Sequence, residues 1–196
     1  IKPLAEQVGS SFFEIVTVLG CKLFADAGVD YAVMEVVMGG RFDATNVLEP
    51  ELSIITGVSL DHTSYLGDTP QQIAFEKAGI LRPNKLALTG ATDGALNIIK
   101  ERAKEEGLSL HVLDQDIYTT RHTVSWEGID VTVTSSFGEA RVQSPLLGLH
   151  QVRNVALAVT AAQSLNISIE AVQKGVAQTK WAGRLEKLSY KQRLFL

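Results

Sequence analysis

Apolar residues recur at helical spacing near the start of the chain. Phe12, Val16, Leu19 and Leu23 form one stripe, widened by Ile15 and Cys21. Ser11 followed by Glu14 makes a capping-box pattern at its start, and Gly28 supplies a stop. Residues 29–37, VDYAVMEVV, then change period. The run is almost continuously apolar and predicts a strand buried on both faces, as in a parallel sheet. SIITGVSL, residues 53–60, repeats that character. Thr69 and Pro70 open the next helix as cap and first turn, and it carries Ile73, Phe75, Lys77 and Ile80. KLALTG predicts a short strand, residues 97–106 an amphipathic charged helix, and LSLHVLD another strand. Strands alternating with helices imply right-handed βαβ units.

The pattern changes near Tyr118. Polar and apolar residues alternate around turn signals at Glu127-Gly128 and Phe137-Gly138, which predicts a small antiparallel meander over about residues 117–146. Helical spacing returns over residues 146–165, and Ser168 caps a further helix running to Gln178. The expected class is therefore α/β: one domain over residues 1–196, a mostly parallel sheet flanked by helices, with a small antiparallel meander. The final segment, WAGRLEKLSYKQRLFL, opens on a polar turn and ends apolar, and the first residue is Ile1. Both ends fit the expectation that the chain is part of a longer protein. No repeat, low-complexity tract or flexible linker interrupts it.

Composition narrows the options. With 45% hydrophobic and 20% charged residues, the 196-residue chain reads as an ordinary globular protein. A net charge of −4 and no basic stripe argue against a nucleic-acid partner. No apolar run approaches the ~18 residues of a membrane span. The start lacks the pattern of a secretory signal, so the cytoplasm is the expected location. Cys21 is the only cysteine, which excludes an intrachain disulfide and reads as a small buried hydrophobe.

Candidate chemistry concentrates in EVVMGGRFDATN, residues 35–46. Glu35 ends an apolar run, where a carboxylate must be paired, hydrogen-bonded, metal-bound or solvated at the sheet edge. A structural partnership with Arg41 is the plainer alternative. Gly39-Gly40 permits positive φ and close approach of backbone. Asp43 and Asn46 either orient a ligand or cap the turn. His62, in LDHT, follows a second apolar run. If the two strands are neighbours, Glu35 and His62 emerge at one sheet edge, where ligands of open α/β sheets bind. An acid with an imidazole there can hold a divalent cation or serve structurally. Lys77, in FEKAG, sits among apolar helical positions, where a lysine usually snorkels to solvent. Held at a site, it could bind phosphate or react as the neutral amine with CO₂. HQVRN, residues 150–154, begins a helix whose N-terminus suits phosphate or a polar heterocycle, and Arg184 follows a glycine in WAGRLE.

Taken together, EVVMGGRFDATN, LDHTSYLGDT, FEKAGI, LGLHQVRN and WAGRLE, in that order and spacing, resemble the folylpolyglutamate synthase / dihydrofolate synthase family of the Mur ligase superfamily. The resemblance runs from Ser11 to the WAGRLE segment. It implies the central ATPase domain of an ATP-dependent, amide-forming ligase. It implies that Glu35 and His62 bind Mg²⁺, and that Lys77 is carbamylated and supports a second metal, the three making the catalytic group. It implies that Ser11, Phe12, Phe13 and Glu14, with Phe42, Asp43 and Ala44, line the substrate site, and that Asn154 and Arg184 contact ATP. The implied substrates are dihydropteroate or a folate, with L-glutamate. A substrate carboxylate would attack the ATP γ-phosphate, and the glutamate amine would attack the resulting acyl phosphate. The full-length protein would be monomeric.

The resemblance is imperfect. Val37 stands where the family generally has glycine, and Ala182 where it commonly has proline. The 196 residues contain no glycine-rich phosphate loop, and the family's C-terminal glutamate-ligase domain is not among them, so the isolated chain is expected to be inactive. The alternatives are a non-catalytic folate- or nucleotide-binding module, a metal-dependent hydrolase using Glu35, Asp61 and His62, and a sister Mur-type ligase for another carboxylate.

Overall fold

The computed structural model describes residues 2–186, together with the backbone of residues 188–190 and 193–195. A short helix α1 (Lys2–Val8) precedes α2 (Phe12–Ala27). The predicted capping box is present. The Ser11 hydroxyl accepts from the Glu14 backbone N–H at 3.3 Å, and Glu14 accepts from the Ser11 N–H at 2.7 Å. Hydrogen bonds from the Ser11 side chain and backbone hold the Glu14 carboxyl below its usual pKa. Gly28 closes α2 in the left-handed conformation, φ 61°. Sequence reasoning missed α1; Pro3 in its first turn was the available signal.

Three short parallel strands follow: β1 (Leu52–Ile55), β2 (Leu86–Thr89) and β3 (Ser109–Val112), ordered β1-β2-β3. Between β1 and β2 lie α3 (Thr63–Leu66), α4 (Pro70–Lys77) and a 3₁₀ turn (Ala78–Ile80). Thr69 caps α4 with Pro70 in its first turn, as predicted. Helix α5 (Asp93–Glu105) connects β2 to β3 and starts four residues before the expected Asn97. Gly94 in its first turn disguised that start. A Cβ there would lie 2.3 Å from the Gln71 amide, so the glycine lets α5 pack close against α4.

Residues 29–37 correct the sequence reading, because they form no strand. Val33 is 93% exposed and Tyr31 57%. The run has a strand's composition, but a strand exists only through its ladder, and composition does not supply the neighbour. β1 stands at the edge of its sheet with one side unpaired among the described residues.

The meander is β4 (Tyr118–Ser125), β5 (Gly128–Ser135) and β6 (Gly138–Ser144), paired antiparallel in order. A register shift between Thr120 and Thr123 places a bulge in β4, with Arg121 at φ 50°. Asp130 pairs with Arg141 across β5 and β6. Hydrogen bonds from Arg141 and Gln143 lower its pKa to about 2. Helix α6 (Leu149–Ser164) packs on both sheets, and α7 (Ile169–Ala177) lies against β6. Segments β7 (Leu188–Tyr190) and β8 (Arg193–Phe195) pair antiparallel.

Two cores result. One joins Leu88 of the parallel sheet to Val131, Val133 and Val142 of the meander through Leu157 and Val159 of α6. The other packs Ile55 and Ala87 against Ala74, Leu81 and Ile99. No helix among the described residues is long and apolar enough to cross a membrane.

Candidate functional site

The glycine pair is where the candidate segments meet. Gly39 has φ 68°, a conformation that favours glycine, and a Cβ there would stand 3.0 Å from the Leu66 side chain of α3. A Cβ on Gly40 would be 2.8 Å from the Glu76 carbonyl and 3.1 Å from the Lys77 Cα. One turn therefore touches both the helix that His62 starts and the helix end that carries Lys77. From the other side, a Cβ on Gly79 would sit 2.5 Å from the Arg41 Cα. At Gly40 and Gly79 backbone lies against backbone, which only glycine permits.

Hydrogen bonds fix that contact. The Arg41 N–H donates to Glu76 O at 2.9 Å. The Arg41 guanidinium lies over the Phe75 ring, 4.2 Å from its centroid. It is therefore occupied by Phe75, and pairing with Glu35 is not observed. The Asn46 amide donates to Arg41 O at 2.9 Å and Gly79 O at 3.1 Å.

Asp43 organises the turn. Its carboxylate accepts from the backbone N–H of Val37 and Met38 on one oxygen, and from the Thr45 N–H and hydroxyl on the other. Partial burial raises its pKa, but these four bonds together outweigh it and hold the group below its ordinary value. The stability it lends is thus fully present above its ordinary value of 3.8 and is lost as pH falls through the lower folded value. Asp43→Asn places an amide where two N–H groups need an acceptor. Amide exchange at Val37 and Met38 should rise about tenfold at neutral pH, the scale of one charge-assisted hydrogen bond. Unchanged exchange would contradict this account. Val37 does not lie at positive φ, so its backbone does not demand the glycine usual there.

The reactive candidates are accessible. Glu35 is exposed and Lys77 half-buried, and neither side chain has a hydrogen bond or ion pair among the described residues. His62 starts α3 at φ 50° and ψ 37°, an uncommon conformation for a side-chain-bearing residue. Its backbone N–H donates to Asp61 at 2.8 Å, and its Nε2 lies 3.8 Å from the other Asp61 oxygen.

Among the described residues, no group of three or more His, Cys, Asp and Glu side chains could hold a metal ion. Glu35, Asp61 and His62 therefore do not form the ligand cluster that a metal-dependent hydrolase requires. The donor set does fit Mg²⁺. That ion keeps several waters, takes substrate phosphate oxygens, and needs only one or two protein carboxylates. Glu35, unpaired among the described residues, and the exposed His62 are the side chains that would hold it.

The remaining predicted residues lie at the start of α2, in the Asp43 turn, in α6 and beside Trp181. Ser11 and Glu14 are engaged in the α2 cap, while Phe12 is 81% exposed and Phe13 half-buried. Phe42 is 88% exposed, and Ala44 begins the 3₁₀ turn Ala44–Val47 that Asp43 caps. Asn154 lies in α6 and donates to Gln151 at 3.0 Å. Arg184 is exposed, its guanidinium 5.1 Å from the Trp181 ring centroid. The first turn of α6 has no side-chain cap. Arg153 ties that helix to the sheet, bonding Asp114 at 2.6 Å and Gly90 O at 3.2 Å.

Sequence reasoning missed Arg82. Its Nη2 donates to Asn46 O at 2.6 Å and Asn46 Oδ1 at 2.8 Å, and its Nη1 to Gly79 O at 3.1 Å. An arginine between a helix end and Pro83 was the only sign available.

Residues 10–162 match the Mur ligase middle domain. The probable bifunctional folylpolyglutamate synthase/dihydropteroate synthase of Haloferax volcanii is 40% identical over 185 residues, covering 90% of this chain and 22% of that protein. The dihydrofolate synthase/folylpolyglutamate synthase of Bacillus subtilis is 35% identical over 184 residues, covering 89% of this chain and 43% of that protein. The structure of Mycobacterium tuberculosis folylpolyglutamate synthase complexed with ADP superposes with a TM-score of 0.85 at 32% identity, covering 94% of this chain and 44% of that one. The chain spans less than half the length of each.

Proposed function

From the premise that this chain belongs to the Mur ligase middle-domain family, we propose that it is the central ATPase domain of an ATP-dependent ligase adding L-glutamate to dihydropteroate or a folate. The observation that carries the reading is the Gly39-Gly40 turn, seated against both Leu66 of α3 and the Lys77 backbone. It gathers the Glu35, His62 and Lys77 segments at one place. The relatives bearing folate-ligase names, and the relative complexed with ADP, support the substrate and nucleotide classes.

In this reading Glu35 and His62 hold Mg²⁺, and the bound metal neutralises phosphate charge. Lys77, when carbamylated, becomes an oxygen donor for a second metal. Asn154 and Arg184 bind ATP, with the uncapped start of α6 offering N–H donors. Phe42 and Ala44, together with Asp43 and residues 11–14, face the pteridine-bearing substrate. The substrate carboxylate attacks the γ-phosphate, ADP leaves, and the glutamate amine displaces phosphate from the acyl phosphate. Ligation is proposed for the full-length protein, as a cytoplasmic monomer. The 196 residues hold no glycine-rich phosphate loop, and positioning carries much of phosphoryl-transfer catalysis.

The test is direct. Full-length protein with ATP, Mg²⁺, L-glutamate and dihydropteroate or tetrahydrofolate should release ADP and form the glutamylated product in equal amounts. ADP release indifferent to both acceptors overturns the reading.

A further inference from the structure

The Lys77 side chain has no hydrogen bond or ion pair among the described residues, so no polar contact of its own fixes it and its backbone must carry much of its placement. The glycine turn lies against that backbone, and two polar side chains tie the turn to the residues that follow Lys77. The Asn46 amide joins Arg41 O to Gly79 O, at 2.9 and 3.1 Å. Arg82 closes the ring, donating to Gly79 O at 3.1 Å and to both oxygens of Asn46 at 2.6 and 2.8 Å. All five bonds are partly buried, where an unmade bond is costly. The ring ties residues 41 and 46 to residues 79 and 82, just beyond the point where Gly40 meets Lys77.

We infer that Asn46 and Arg82 form a clasp whose task is to position Lys77, making both positioning residues for the metal–nucleotide site rather than groups that touch substrate. The inference rests on the proposed role of Lys77. The Arg82 guanidinium suits the task because its planar fork serves the Gly79 and Asn46 oxygens, and Leu81 O besides, in fixed directions that a lysine cannot reproduce. Asn46 suits it because its amide donates to two carbonyls while its oxygen accepts from Arg82. An aspartate would lose both donors.

The test uses the full-length ligase at a temperature well below unfolding, comparing Asn46→Ala, Arg82→Ala, the milder Arg82→Lys, the double alanine variant, and Lys77→Ala. Two quantities are read: the half-saturating Mg²⁺ concentration for ligation, and Mn²⁺ binding with a non-hydrolysable ATP analogue by electron paramagnetic resonance. Each alanine variant of the clasp should raise half-saturating Mg²⁺ about tenfold and weaken Mn²⁺ binding to match, with KM for glutamate within twofold. Arg82→Lys should fall between. The double variant should be no worse than the poorer single one, because both remove one unit. Unchanged metal dependence in the clasp variants, with only the unfolding temperature lowered, overturns the inference, as does full additivity. If Lys77→Ala itself keeps normal metal dependence, the role of Lys77 fails, and the clasp's purpose with it. If only Lys77→Ala is impaired, the clasp alone fails.

Discussion

Glu35→Ala or His62→Ala in the full-length protein should lower ATP-dependent ligation by about three orders of magnitude while leaving the fold intact. The reaction brings a substrate carboxylate to a polyphosphate. At ~4 Å and an effective dielectric of about 20, each pair of like unit charges costs roughly 4 kcal/mol. That corresponds to about a thousandfold in rate, so a site that loses its grip on the neutralising cation should lose rate on this scale. Stability should be little affected. Both side chains are exposed, and Glu35 has no partner among the described residues. The decisive comparison is single-turnover phosphoryl transfer beside urea unfolding. Near-normal turnover in either variant would sink the metal assignment. Substitution at His62 has one independent effect: a glycine there relieves the φ of 50° and should be less destabilising than alanine.

Gly79→Ala should be a strongly damaging small substitution, costing about 3 kcal/mol. The added methyl would lie 2.5 Å from both Cα and Cβ of Arg41, and 2.9 Å from its nitrogen. Those are largely backbone atoms of a turn already fixed by Asn46 and Asp43, so no flexible side chain can step aside. Overpacking of this kind typically costs ~1–3 kcal/mol, and here the top of that range applies. Gly175→Ala is the control. It lies inside α7 with nothing within 4 Å of its Cβ, and should stabilise by roughly 0.5–1 kcal/mol through helix propensity. Urea midpoints should move in opposite directions. Equal midpoints for the two variants would mean that the turn is not the rigid seat described above.

Local signals in the sequence were dependable where the physics is local. The Ser11–Glu14 box, the Gly28 stop, the Thr69-Pro70 start and the meander turns all act within a few residues, and all are present. Reading failed where the outcome depends on a neighbour. Residues 29–37 have a strand's composition but no ladder, and the start of α5 was hidden by Gly94, whose reason is the distant Gln71. The site divides the same way. Asp43 as a turn cap was legible from residue type, and the four bonds it accepts bear that out. The partnership of Arg41 with Phe75, and of Arg82 with Asn46, spans more than thirty residues of sequence and leaves no periodic trace. The Gly39-Gly40 pair was read as permitting close approach, but what approaches it, Leu66 and Lys77, only the folded chain reveals.

Helix α6 carries a consequence for how the molecule comes apart. Its buried face, including Leu157 and Val159, belongs to the same core as Leu88 of the parallel sheet and Val131, Val133 and Val142 of the meander. The meander therefore cannot melt alone. Its departure would strip the shared helix and open the sheet behind it. The two sheets share one core through α6, and they are expected to unfold together, as one transition in urea.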